Sequence, residues 1–191
     1  MRVDLRKPLP EDIQDVGLQL GIKEPVLKKI AFRCKHSFPV VVILDPFVKD
    51  DLNFTALANP IWLTCPHLNE KIHDLESKGL IPKMKEIINQ NKSYIDSMKK
   101  AHAEYALLRL KICNEKLKDS DSFNSSFKTL NTGIGGIKDT GQVKCLHLHY
   151  AHSLICRHNV IGNIVSKFLD DTSCSQINCR NLKTSQYEMD L

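Results

Sequence analysis

The segment KCLHLHYAHSLICRH, Lys144 to His158, holds two cysteines and four histidines in fifteen residues. Thiolate and imidazole are preferred zinc ligands, and the same pair can serve as a nucleophile and its base. Read as a helix turning about 100° per residue, the segment sets Cys145, His149, His152 and Cys156 on one stripe and His147 on the opposite side. Cys145 with His149, or His149 with His152, can then chelate one ion. Cys145 and His152 are two turns apart, roughly 10 Å along the axis, and reach one ion together only if the helix bends or begins after Cys145.

A complete site needs ligands from other elements. The β-branched run FPVVVIL, Phe38–Leu44, ends at Asp45-Pro46 and reads as a buried strand, with Ile61–Thr64 as its short partner. Antiparallel pairing sets the start of the first strand beside the end of the second, which brings Cys34 near Cys65. Cys65 directly precedes Pro66 at the start of a helix, where the positive end of the helix dipole favours a thiolate, and Cys145 stands at a similar helix start. Cys34, Cys65 and Cys145 with one of His147, His149 or His152 form a candidate ligand set for Zn(II), with iron next. No CxxC pair occurs, so the spacing is not that of a zinc finger or ribbon. His36, in the C-x-H that begins at Cys34, is a secondary candidate.

The same side chains support two other readings. In a thiol enzyme, Cys65 or Cys145 would be the nucleophile and His152 or His147 the base. In a non-enzymatic interaction module, the cysteines and histidines would be core residues. His102 and Arg109 lie on the stripe of a long helix with Ile95, Met98, Tyr105 and Ile112. They are either a buried hydrogen-bonding pair or an anion clamp that supports the Cys/His cluster. In GIGGIKD, the backbone of Gly135 and Gly136 could cradle a phosphate or simply turn the chain. His67 and His73 read as surface residues and Cys113 as packing.

These residues must be positioned by a small set of elements. PEDIQDVGLQLG and EPVLKKIAFR read as two short helices, the second beginning at Pro25. CPHLNEKIHDLESKG reads as a helix from Pro66 that stops at Gly79, followed by helices over Pro82–Asn91, Ser93–Lys118 and Asn159–Leu169. Asp119–Gln142 is rich in Ser, Asn, Asp and Gly and reads as a loop. The expected fold is α+β: a mostly helical single domain over 1–169, with a small two-stranded antiparallel sheet near the N-terminal third. A polar, partly disordered loop is expected over 119–132 and a disordered tail over 170–191, which makes Cys174 and Cys179 poor candidates for an ordered site.

Composition narrows the class. The chain has 191 residues, a formal net charge of +5, and seven cysteines at irregular spacing. Its charges are mixed in sign and only 6% of residues are aromatic, so there is no strong nucleic-acid signature. No segment approaches the roughly 20 apolar residues of a membrane span, and no leader-like segment opens the chain. The expectation is a cytoplasmic protein with reduced thiols, whose small-molecule substrate, if any, the sequence does not name.

In order along the chain, IAFRCKHSFPVVV, WLTCPHLNEKIHDLESKGLI, AHAEYALLR, GIGGIKDTGQVKCLHLHYAHSL and HNVIGN resemble the bacterial family catalogued as domain of unknown function 501. The resemblance runs from about Glu11 to Gly162. It implies a small cytoplasmic protein, with a possible cell-division partner suggested by gene neighbourhood. It also implies cysteines at Cys34, Cys65 and Cys145 and histidines at His147 and His152, whereas His149 often has an apolar counterpart. The loop before GIGG and the Cys-bearing tail depart from the family's pattern.

Overall fold

Leu27–Arg33, expected as part of a helix, is a strand. The computed structural model, which describes residues 6–45, 47–50, 53–56, 59–114, 131–172, 174 and 179–182, pairs this β1 with β2, Pro39–Leu44. The apolar spacing of Leu27, Ile30 and Ala31 fits a helix in isolation. The apolar β2 has two edges to satisfy, however, and pairing overrides local periodicity. Phe32 faces Val41 and Arg33 faces Pro39 across an irregular antiparallel register. On the other edge β5, Ile61–Leu63, pairs antiparallel with β2 as expected, and the register sets Leu63 opposite Val41. The sheet therefore has three strands in the order β1-β2-β5, one more than the sequence suggests. A separate hairpin, β3 (Phe47–Asp50) with β4 (Asn53–Ala56), was also not foreseen.

Both faces of β2 are covered. Val42 packs with Ile30 and Val16 under α1, Pro10–Leu20, while Val41 and Ile43 join the main core on the other face. That core is built with α2 (Pro66–Ser77), α3 (Leu80–Asn89), α4 (Lys92–Asn114), α5 (Leu146–Ser153) and α6 (Val160–Phe168). α3 starts two residues before Pro82, which needs no hydrogen-bonded N–H in the first turn. The architecture is α+β and mostly helical.

α1 is tied to the sheet by charge. Asp12, 2% exposed, accepts from the Leu9 N–H at 2.9 Å and takes both Arg33 NH groups at 2.7 and 2.8 Å. Burial opposes its ionisation, but Arg33 and the Leu9 N–H hold the Asp12 carboxyl below the usual carboxylate range. Replacing Arg33 with Met leaves that carboxylate buried without its cation and is expected to cost about 3 kcal/mol in urea unfolding. A change below about 1 kcal/mol would show that the pair contributes little.

The polar loop expected over 119–132 lies outside the described residues except for 131 and 132, and so does the tail beyond 182. The tail before that point is not uniformly solvated. Residues 179–182 form a helical turn, and Cys179 is only 7% exposed.

Candidate metal centre

The helix carrying the Cys/His segment begins after Cys145 and ends at Ser153. Cys145 is the N-cap, with extended φ −150° and ψ 122°, so helical phase does not govern where its sulfur points. Cys156 falls in the turn beyond the helix. The expected stripe of Cys145, His149, His152 and Cys156 is therefore not formed, and His147, placed by phase on the opposite side, is the histidine that meets Cys145.

Cys145 Sγ stands 3.8 Å from His147 Nδ1. Glu76, near the end of α2, completes the group: its Oε1 accepts from the Leu146 N–H at 2.6 Å and lies 3.3 Å from His147 Nδ1. His147 Nε2 is 3.0 Å from the Asn69 carbonyl. A carbonyl can only accept, so Nε2 carries a proton. In the neutral ring, the Nδ1 lone pair then points at the sulfur and the carboxylate. The contact with Cys145 outweighs burial and, with the Asn69 carbonyl and Glu76, pushes His147 up to about 9. Among the described residues, ligand atoms of Glu76, Cys145 and His147 lie within 4.8 Å of one another and could hold a metal ion.

A second such group is Glu104, Cys156 and His158. Glu104 accepts from Cys156 Sγ at 2.5 Å and pairs with His158 Nδ1 at 2.7 Å. It borders an open cavity of about 370 Å³ reached by His152 and Leu108. Burial and Glu104 push the Cys156 thiol up to about 12, and the outer carboxylate and imidazole are exposed.

His149 and His152 are 1% and 2% exposed and are held by Asn159 rather than aimed at the triad. Asn159 caps α6 by accepting from the Gly162 N–H at 3.0 Å. Its Oδ1 also accepts from His149 Nδ1 at 3.3 Å, and its Nδ2 donates to His152 Nδ1 at 3.1 Å. α5 and α6 cross so closely that a Cβ on Gly162 would collide with the His149 carbonyl and the Ser153 side chain.

His102 and Arg109 serve the loop before α5. Arg109, fully buried, donates to the Thr132 carbonyl at 2.8 Å and the Gly133 carbonyl at 3.2 Å, and its guanidinium lies 5.1 Å from the Tyr105 ring centroid. His102 Nδ1 accepts from the Ile134 N–H at 3.1 Å. The neighbouring N–H groups are also used: Gly135 donates to Asn59 Oδ1 and Gly136 to the Gly133 carbonyl. Gly135 and Gly136 have φ of 75° and 69°, which explains the glycines by backbone shape, and their N–H groups are turned to internal acceptors instead of a phosphate.

Cys34 and Cys65 flank the start of β2, as antiparallel pairing implied. The Cys34 N–H donates to the Phe38 carbonyl, and Thr64, just before Cys65, donates its N–H to the Val40 carbonyl. Neither cysteine joins the triad around Cys145. Cys65 does stand at the N-cap position of α2, yet burial pushes its thiol up to about 11, opposite to the shift expected from the helix dipole alone. Glu76 was missed by sequence reasoning, although it follows Leu68 and Ile72 at a spacing of four and so falls on the inward stripe of α2.

No helix among the described residues is long and apolar enough to cross a membrane. No curated protein and no solved structure matches the chain. The family described as protein of unknown function (DUF501) matches residues 30–167, a span that contains α2, α4, α5 and the whole Glu76–Cys145–His147 group; the chain belongs to this family.

Proposed function

We propose that the protein binds a divalent transition metal, zinc by donor chemistry, through Cys145 Sγ, His147 Nδ1 and a Glu76 carboxylate oxygen. The observation that carries this reading is the Asn69 carbonyl on His147 Nε2, which orients the ring and leaves Nδ1 facing the other two ligands. With His147 pushed up to about 9, the protonated ring itself faces the Glu76 carboxylate, and an incoming metal ion would take its place by releasing the Nδ1 proton and the Cys145 thiol proton to solvent. Three protein ligands leave a fourth position for water or a substrate atom, the arrangement of hydrolytic zinc. Untagged protein is expected to lose about one zinc per chain on His147→Ala or Cys145→Ser, measured by mass spectrometry of the metal. Unchanged metal content in both folded variants would overturn the assignment.

A thiol enzyme is the second reading, favoured by the approach of Cys145 Sγ to His147 Nδ1. In that case the pair would be a thiolate beside an imidazolium oriented by Asn69. Alkylation at neutral pH separates the readings, because zinc ligation protects Cys145 until a chelator is added, whereas a free thiolate reacts at once.

A further inference from the structure

Four cysteines from separated parts of the chain lie near Pro39, at the end of the sheet where β2 begins. Cys34 follows Arg33, which pairs with Pro39 across β1 and β2. Cys65 follows Thr64, whose hydroxyl donates to the Pro39 carbonyl at 3.2 Å. Gln19 Nε2 donates to that carbonyl at 2.9 Å and to Cys179 Sγ at 3.1 Å. Cys174 reaches the same end, because His36 Nε2, in the turn between β1 and β2, donates to its carbonyl at 3.2 Å. His67 Nε2 likewise donates to the Asp171 carbonyl at 3.3 Å, laying the segment after α6 over the start of α2.

This placement needs a cause. The segment DDTSCSQINC, Asp170 to Cys179, is polar and has little apolar area with which to hold itself down. Even so, Cys179 is 7% exposed, close to the 6% of the core residue Leu63. All four thiols are free. Burial raises both Cys65 and Cys179, and the neighbouring Cys174 raises each further. A cation among such thiols would ionise them together.

We propose that Cys34, Cys65, Cys174 and Cys179 are the ligands of a structural zinc ion that fastens the segment after α6 to the end of the sheet. Each thiol gives its proton to solvent as the ion binds, leaving four thiolates in tetrahedral array around one Zn(II). No three of these sulfurs lie within 4.8 Å of one another, so ligation draws Cys174 and Cys179 inward onto Cys34 and Cys65. The site is separate from the Cys145 triad and requires none of its residues.

Zinc content and cobalt substitution of the untagged full chain test this inference. The wild type is expected to hold about two ions per chain, and the Cys174→Ser/Cys179→Ser double variant about one. The double variant should also lose the strong sulfur-to-cobalt absorption of a four-thiolate site, which Cys145→Ser/His147→Ala keeps. Cys179→His should retain the ion with a three-sulfur spectrum, which distinguishes ligation from mere packing. The inference is overturned if the double variant binds as much metal as wild type with the same cobalt spectrum. It is equally overturned if the wild type carries these cysteines as disulfides. Should only the triad reading fail, wild type holds one ion and the Cys174→Ser/Cys179→Ser chain none.

Discussion

Asn159→Ala is expected to lower unfolding free energy by about 4 kcal/mol. The side chain is fully buried and does three jobs at once: it caps α6, accepts from His149 and donates to His152. Loss of the cap alone costs about 1 kcal/mol. The remainder comes from two buried imidazoles whose polar atoms lose their partner, each costing about 1–3 kcal/mol. Asn159→Asp separates these contributions, because it keeps the acceptor for Gly162 and His149 but removes the donor to His152. That variant should be less destabilised, with the His152 pKa moved upward in a proton NMR titration. A loss below about 1 kcal/mol for the alanine variant in urea would show that water replaces all three contacts.

Stability should fall steeply in mild acid, well before the carboxylates titrate. Burial pushes His102 and His152 each down to about 4, from an ordinary value near 6.5. A histidine depressed in the fold is protonated first in the unfolded chain. Its contribution is therefore complete above pH 6.5 and is lost as pH falls from there toward 4. At about 1.4 kcal/mol per pH unit, each of the two removes roughly 3 kcal/mol by the lower end of that window. Asp12, also depressed, acts only below the ordinary carboxylate range. Urea midpoints from pH 7.5 to 4.5, measured on chelator-treated protein so that metal release does not contribute, check the window. A flat midpoint across it would mean that the imidazoles take up protons without unfolding the chain.

The sequence allowed the β2–β5 pairing and most helices to be read because their signals are local: a β-branched run, proline at a helix start, a glycine stop. β1 was not legible, since its strand character depends on what lies beside it in β2. The candidate site shows the same division. Cys145 and His147 were both visible, but helical phase set them apart because it assumed Cys145 was already inside the helix. The extended cap conformation brings them together. Glu76 was hidden by distance in sequence, and the cue for it was a carboxylate on an inward helical stripe. Cys179 was set aside with a polar tail whose composition gives no reason for burial, and Gln19 and the end of the sheet supply the contacts that composition could not.

Arg109 ties α4 to the turn that leads toward α5. It sits on α4 and grips Thr132 and Gly133, so the turn that precedes the Cys145 cap is fixed to that helix. Truncating Arg109 therefore reaches the candidate site at one remove, by freeing the turn that delivers Cys145 to its extended cap.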